Sequence, residues 1–586
     1  MRRSWAGFAR AWPAILLPLL AFIVVTPLIA HGVSCGHDFD FHLQSWLDAA
    51  AQMRHGALDP AWTVTAAWNA GEPRFLFYPP VSWMFGALLS LIMPLSAAPI
   101  VFTAIALLCA GSAMYALARV YASTAVSLLA SAIYIANPYM LFTAFERTAY
   151  GELLAAAWIP LLLRAALRER PGVLALAIPT ALLWLTNAPA AVIGTYTLLL
   201  IGVLRIGFAI FRGSHRPTEL ARSLIIRFSA GGILGLALAA FYLIPAAYER
   251  RYVQVAMAII PNMRVEDNFL FGHTGDGPHD RVLHTASMIA IQLLTAAAVA
   301  LAVAFSLRRK RTDPSGAAGA QNPVLILAIF TVCIAFLLTP ISVPFWHHVP
   351  ELAFLQFPWR LLCVLGATLA LTIALAAGSR PVSSGVAGIL CIVAIAFVGT
   401  MTARKILTFR GECDALEMPS VHAQLFATHH GVEPTDEYTP SNADNDVLRW
   451  DDPGYWLATN PAAFAPNTIP NPAATIVNYD IPPSEDQTIS GVAPHHLRLN
   501  LSHPEILIFN LRDFPEWQVY RNGALLTQHL QRDDGLLAIA LPAGTSVIDI
   551  RWHRTWDQIL GNVLSLLALL VLGALLVRSR TIKPDA

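Results

Sequence analysis

"GHDFDFHLQSW" occupies residues 36–46, directly after an apolar run, 12–31, that is long enough to cross a bilayer. Two aspartates, Asp38 and Asp40, stand one residue apart between His37 and His42. The stretch that follows, "FHLQSWLDAAAQMRHG", reads as an interfacial helix ending at Gly56. One aspartate suffices to cap such a helix, which leaves the second without a structural task. In an extended stretch, residues i and i+2 point to one face. The pair is therefore placed to act together as a general base, as ligands for a divalent cation, or both.

The rest of the chain sets that stretch in a membrane. Of 586 residues, 56% are hydrophobic and only 13% are charged, and the mean hydropathy is +0.56. A soluble protein of this length is too polar to match that, so a multispanning helical membrane protein is the expected class. The net charge of +1 gives no basis for a nucleic-acid partner, and none is expected. Four of the six cysteines, Cys109, Cys333, Cys363 and Cys391, lie in apolar runs and read as packing residues. Cys35 and Cys413 both fall in stretches expected outside the cell, and whether they pair is a question of geometry that spacing leaves open.

A bilayer core takes about 20 apolar residues per helix. On that measure the spans are 12–31, 98–118, 122–142, 151–167, 172–187, 189–211, 223–245, 285–307, 323–340, 361–378, 382–402 and 556–577. The first is read as a retained helix, since its apolar run is too long for a signal-peptide core. A further apolar run, 76–95, is bracketed by prolines. Basic clusters decide its placement: Arg2/Arg3, Arg164/Arg168/Arg170, Arg212/Arg216, Arg308 to Arg311 and Arg578/Arg580 all fall on the cytoplasmic side only if 76–95 does not cross. The expectation is therefore an all-α polytopic membrane protein of about twelve spans with both termini cytoplasmic, and 76–95 lying interfacial or re-entrant on the outer face.

This topology places 32–97, 143–150, 246–284, 341–360 and 403–555 outside. The last segment changes composition to Pro, Asn, Asp and Thr and then to strand-like runs, "EILIFNL", "WQVYR" and "LLAIALPAGTSVIDIRW", with a hairpin signal at Asn522-Gly523. The expected domains are a transmembrane domain, 1–402, an extracytoplasmic domain, 403–555, sandwich-like in its C-terminal half, and a final helix with cytoplasmic tail, 556–586.

Polar residues crowd the outer side. Glu146 and Arg147 suit an interface ion pair, and Glu152 suits the positive end of the next helix; acids at a membrane boundary also mark functional sites. Arg360, in "FLQFPWRLL", and Arg74, in "NAGEPRFLFYPP", either snorkel from the bilayer or clamp a phosphate, whose oxygens a guanidinium matches bidentately. His347-His348 offers no third metal ligand, and the loop carrying His273, His279 and His284 reads as a solvated connection. No Gly-rich phosphate loop, Ser nucleophile elbow or zinc-protease helix is present in the sequence.

"HDFDFH" (37–42) after the first helix resembles the Asp-x-Asp of the first outer loop in the GT-C glycosyltransferase superfamily. "GEPRFLFYPPVSWMFGALL" (71–89) is similar to the Pro-bearing juxtamembrane segment of the lipid A aminoarabinose transferase and the protein O-mannosyltransferases. "SLLASAIYIANPYMLFTAFERTAYGELLAAAW" (127–158) resembles their third helix and acidic second outer loop, with glutamate here where those transferases carry aspartate. "FLQFPWRLL" (354–362), "DEYTP" (436–440), "FPEWQVYRNG" (514–523) and "DGLLAIALPAG" (534–544) are similar to the YfhO-like bacterial membrane proteins, a group also labelled 6-pyruvoyl-tetrahydropterin synthase-related.

The resemblance implies an inverting transfer of a sugar from a polyprenyl-phosphate-linked donor to a glycan, lipid or protein acceptor of the cell envelope, at the outer face of the bacterial inner membrane. It implies that Asp38 or Asp40 is the loop carboxylate and Glu146 or Glu152 the second-loop acid. The donor phosphate then falls to Arg74, Arg147 and Arg360, and a divalent cation, if one takes part, to Asp38 and Asp40. No other cofactor is expected. Two rivals stand beside this reading: a transporter or flippase of lipid-linked sugars, which calls for polar residues at the bilayer midplane that the spans almost lack, and a non-catalytic scaffold whose β-domain binds glycan. The topology is tested by reporter fusions: those after Arg119 and after Arg170 both read cytoplasmic, and an extracytoplasmic reading after Arg119 overturns the assignment of 76–95.

Overall fold

A computed structural model of the chain describes residues 2–211, 217–309, 322–378, 404, 413–465, 474–478 and 491–581. The expected span 382–402 lies outside the described residues. Among the described residues, seven helices are long and apolar enough to cross a membrane, or nine if two sharply bent helix pairs each count as one span. The described helices thus do not reach twelve. Proline accounts for much of the shortfall, because it removes a backbone donor and clashes with the preceding turn. The run 122–142 becomes Thr124–Ile135 and Pro138–Glu146, bent by 46°, with the Asn137 Oδ1 accepting from the Met140 N–H at 3.1 Å to start the second piece. The run 323–340 ends at Leu337 and turns by 93° into Pro340–His348. The run 151–167 is two short helices, Tyr150–Ala155 and Trp158–Ala166, and 223–245 breaks at Ala239 between Pro217–Leu238 and Ala240–Glu249.

The last helix, Trp556–Thr581, leaves Leu566, Leu567, Leu569, Leu570 and Val577 exposed on its surface. Such a face is unfavourable in water and suits lipid. The run 76–95 forms a short turn, Arg74–Phe77, and the helix Pro80–Ile92. Its 13 residues extend for about 20 Å, short of a bilayer core of about 30 Å. This helix packs on the helix Phe39–Arg54 through Gly86, where any side chain would run into the Trp46 indole. Trp46 in turn is fully buried and stacks on Phe102 of the Ala98–Ala118 helix, with ring centroids 5.3 Å apart.

Among the described residues, eight strands form two antiparallel sheets: β1 (Tyr455–Ala458), β2 (Ala474–Asn478), β3 (His496–Leu501), β4 (Glu505–Arg512), β5 (Trp517–Arg521), β6 (Ala524–Leu526), β7 (Leu536–Leu541) and β8 (Gly544–Trp552). One sheet has the order β1-β4-β7 and the other β2-β3-β8-β5-β6. Leu507, Phe509, Leu537 and Ile539 from the first share one core with Leu497, Leu499, Val519, Ile548 and Ile550 from the second, which is sandwich packing. Asn522 and Gly523, both at positive φ (51° and 80°), close the β5–β6 hairpin. The run "LLAIALPAGTSVIDIRW" is not a hairpin. Its two strands belong to different sheets, because Pro542 has no amide hydrogen to continue the ladder and the chain crosses the sandwich there.

Several ties hold the sandwich and its leading segment to the helices, three of which follow. Cys35 and Cys413 are joined in a disulfide, with Cα atoms 5.4 Å apart. The loop after the helix Phe39–Arg54 is bonded to the sandwich: the Arg512 N–H donates to the Ala70 carbonyl at 2.9 Å and the Asn510 Nδ2 to the Trp68 carbonyl at 3.0 Å. At the third tie the Gln558 Nε2 donates to the Glu249 Oε1 at 3.1 Å and the Glu516 Oε1 at 2.7 Å. Burial, reinforced by the neighbouring Glu516, pushes the Glu249 carboxyl well above the usual carboxylate range.

Candidate active site

Two loops are pinned back to back at the mouth of the first helix. The Ser34 hydroxyl donates to the Phe145 carbonyl, and the Asp38 N–H donates to the Arg147 carbonyl at 3.0 Å. Gly36 lies so close that a Cβ there would run into the Glu146 carbonyl oxygen. The second loop holds its shape through a single π-helical turn, Phe142–Glu146, and through Thr148 at φ 47°. A β-branched residue at positive φ is strained, and strain of this kind clusters at functional sites.

A cavity of about 860 Å³ opens at this junction. Its wall includes Asp38, Glu146, Arg147, Trp359 and Arg360, together with Glu437 from the segment that leads into the sandwich. Asp38 occupies the N-cap position of the helix Phe39–Arg54, yet its side chain makes no capping hydrogen bond. Capping therefore does not explain it. Asp40 behaves differently. The helix starts at Phe39, so the pair is not extended; at 3.6 residues per turn, two positions differ by about 200°. Asp40 is half exposed and accepts from the His422 Nε2 at 2.9 Å, and the His422 Nδ1 meets the Gln44 Nε2 at 2.8 Å. The two carboxylates expected to share one face, and one cation, thus face different surroundings. Among the described residues, the one group of three metal-capable side chains with ligand atoms within 4.8 Å is Cys35, Cys413 and Glu417, and its two cysteines are already bonded to each other. The carboxylates that line the cavity are Asp38, Glu146, Asp436 and Glu437, so Asp40 is not among the groups a cation there would meet.

Behind the wall lies an ion cluster. Glu152, 6% exposed, accepts from the Arg147 Nη1 at 2.6 Å and from the Tyr139 hydroxyl, and its Oε2 lies 3.7 Å from the Arg360 Nε. Burial alone would lower the Arg147 pKa, but the Glu152 carboxylate more than offsets it and holds the guanidinium above its ordinary range. Arg147 also lies over the Trp359 ring at 4.8 Å, and Arg360 over Phe357 at 4.8 Å. Two guanidiniums meet one carboxylate here, so Glu152 is a counter-ion for both. The Arg360 Nε is buried without a hydrogen-bond partner.

Arg74 is placed elsewhere. Its Nε donates to the Glu72 Oε1 at 2.8 Å, its Nη1 to the Ser45 hydroxyl at 3.0 Å and its Nη2 to the Thr435 hydroxyl at 3.0 Å, while Phe41 stacks on it at 4.4 Å. It ties the segment around Thr435 to the helix Phe39–Arg54 and does not line the cavity. Below Asp38, burial pushes the His42 imidazole down to about 4 despite the aspartate's charge, so that ring is neutral at neutral pH. Burial pushes the Glu437 carboxyl up, with Glu72 adding to the shift. Glu437 lies within "DEYTP", and no spacing rule connects it with the cavity, since it stands 399 positions after Asp38 in the chain. A carboxylate facing an arginine pair across a partly dehydrated cavity can accept a proton from a hydroxyl while the arginines hold an anion.

No family model matches the chain, and no curated protein matches it. Among solved structures it is similar to the cryo-EM structure of the arabinofuranosyltransferase AftD from Mycobacteria, at 18% identity and a TM-score of 0.39, over 70% of this chain and 27% of that one. The chain thus spans well under two thirds of that structure, and a likeness with that TM-score carries no argument for fold or activity.

The ion cluster makes a direct stability prediction. Glu152→Gln leaves two buried guanidiniums beside each other, and breaking a buried pair costs about 3–5 kcal/mol. The purified variant unfolds at a clearly lower temperature than the wild type, whereas Asp40→Asn, at an exposed position, unfolds within a degree or two of it. Equal midpoints for Glu152→Gln and wild type contradict the counter-ion role.

Proposed function

We propose that the chain is a membrane glycosyltransferase of the GT-C kind. It transfers a sugar from a polyprenyl-phosphate-linked donor to a cell-envelope acceptor on the extracytoplasmic face of a bacterial inner membrane, with inversion at the anomeric carbon. The observation that carries the reading is the half-buried Asp38, which stands at a helix start without capping it and looks into the cavity that Arg147 and Arg360 also line.

In this mechanism the donor's lipid tail stays in the bilayer and brings the phosphate to Arg360 and Arg147. The guanidiniums stabilise the charge that grows on the phosphate as the glycosidic C–O bond breaks. Asp38 takes the proton of the acceptor hydroxyl, whose oxygen forms the new bond from the opposite side of the sugar. Polyprenyl phosphate leaves as the anion. Glu146 shares the pocket, and Glu152 keeps both guanidiniums charged and aimed. The extracytoplasmic placement is supported by the Cys35–Cys413 disulfide, since such bonds persist in oxidising compartments.

The test is turnover in lipid nanodiscs with polyprenyl-phosphate sugars as donors, read as release of polyprenyl phosphate. Asp38→Asn keeps size and shape and removes the base, so the rate falls by about 100- to 10,000-fold. Asp40→Asn retains the bulk of the activity because its carboxylate serves His422. Near wild-type turnover by Asp38→Asn overturns the assignment.

A further inference from the structure

The cavity has a second wall, built from residues 257–285, which the reaction outlined above leaves without a task. Two of its polar atoms are buried without a hydrogen-bond partner: the Asn268 Oδ1 and the His279 Nε2. Asn268 ends the short turn Val265–Asn268 and is 1% exposed. Its Nδ2 donates to the Asn262 carbonyl at 2.8 Å and the Arg264 carbonyl at 2.7 Å, so the amide cannot rotate without losing both bonds, and Oδ1 is held free. His279 lies in the first turn of the helix Gly277–Arg309, where its N–H donates to the Asp276 Oδ1 at 3.1 Å; that bond fixes the backbone and leaves the ring nitrogen unused. Met257, Ile260 and Met263 line the same wall and give it apolar patches between these polar points.

Buried polar atoms without partners destabilise a fold unless something meets them. A fixed acceptor, a ring nitrogen able to donate or accept, and apolar side chains between them match one ligand chemistry: a sugar ring, with hydroxyls at its edge and C–H groups on its face. We propose that Asn268 and His279 form a carbohydrate-hydroxyl subsite in this cavity, distinct from the guanidinium pair that meets the phosphate. The inference rests on the glycosyltransferase reading for its place in a reaction, but the binding it describes does not depend on turnover. A donor hydroxyl on the sugar points to the Asn268 Oδ1, and a second hydroxyl exchanges a hydrogen bond with the His279 Nε2. The sugar comes from the acceptor glycan or from the donor's own ring, which share this chemistry.

The full-length protein in lipid nanodiscs is titrated with a panel of methyl pyranosides and methyl furanosides by saturation-transfer NMR, and separately with decaprenyl phosphate. The decisive variant is His279→Phe, which keeps ring bulk and removes the ring nitrogens, the unpartnered Nε2 among them; Asn268→Ala also cuts two loop hydrogen bonds and serves as support. At least one glycoside binds the wild type, His279→Phe weakens it by about tenfold or more, and decaprenyl phosphate binding is unchanged in that variant, which shows the fold intact. Arg360→Gln gives the reverse pattern. Failure of every glycoside to bind the wild type, or equal glycoside binding by His279→Phe, overturns the subsite. If glycosides bind through His279 while decaprenyl phosphate does not bind the wild type, the transferase reading falls and the subsite stands. With turnover in hand, a rise in acceptor KM for His279→Phe assigns the subsite to the acceptor, and a rise in donor KM assigns it to the donor sugar.

Discussion

One buried carboxylate organises this site. Glu152 holds Arg147 and Arg360 together, and without it two guanidiniums would face each other out of water. Arg147 and Glu152 lie five residues apart, whereas Arg360 comes from a distant loop, so the carboxylate fixes how the "AFERTAYGE" and "FPWRLL" segments meet. The backbone follows. The Arg147 carbonyl receives the Asp38 N–H, which carries the geometry of the ion cluster into the first loop and sets Asp38 on the cavity wall. The aromatic rings of Trp359 and Phe357 pack against the cations of Arg147 and Arg360.

The segment that leads into the sandwich contributes Pro434 to Glu437 to the cavity wall. The disulfide at Cys413, the His422–Asp40 contact and the Arg74–Thr435 bond anchor it to Cys35, to the helix Phe39–Arg54 and to the turn Arg74–Phe77. Glu437 reaches the cavity because those anchors hold its stretch of chain in place. Asp40 and Arg74, both expected in the site, thus act on it from outside: they position the chain that forms part of its roof.

Much of this was legible in the sequence. Hydropathy marked the helices, the outer-loop carboxylates marked the region of the cavity, and the Asn522-Gly523 pair marked its hairpin. Other features could not be read because their physical cause is distant in sequence. Whether Asp38 and Asp40 share a face depends on where the helix begins, and a one-residue change in that start turns a matched pair into a diverging one. The roles of Glu152 and Arg74 depend on partners, Arg360 and Thr435, that only the fold brings near. His279 looked like part of a solvated connection because nothing in its loop announces that the ring nitrogen ends buried in a cavity wall. Span lengths were overestimated where prolines and short breaks divide apolar runs, since hydropathy averages across a bend.

The central claim is that the guanidinium pair receives a lipid-linked phosphate in the cavity that Asp38 lines. The most direct measurement is a cryo-EM structure of the protein in a nanodisc with bound polyprenyl phosphate. The account predicts phosphate density within hydrogen-bonding distance of Arg360, with the lipid tail running along the helices and the Asp38 carboxylate facing the same space. Phosphate bound at Arg74, or anywhere outside this cavity, would contradict it.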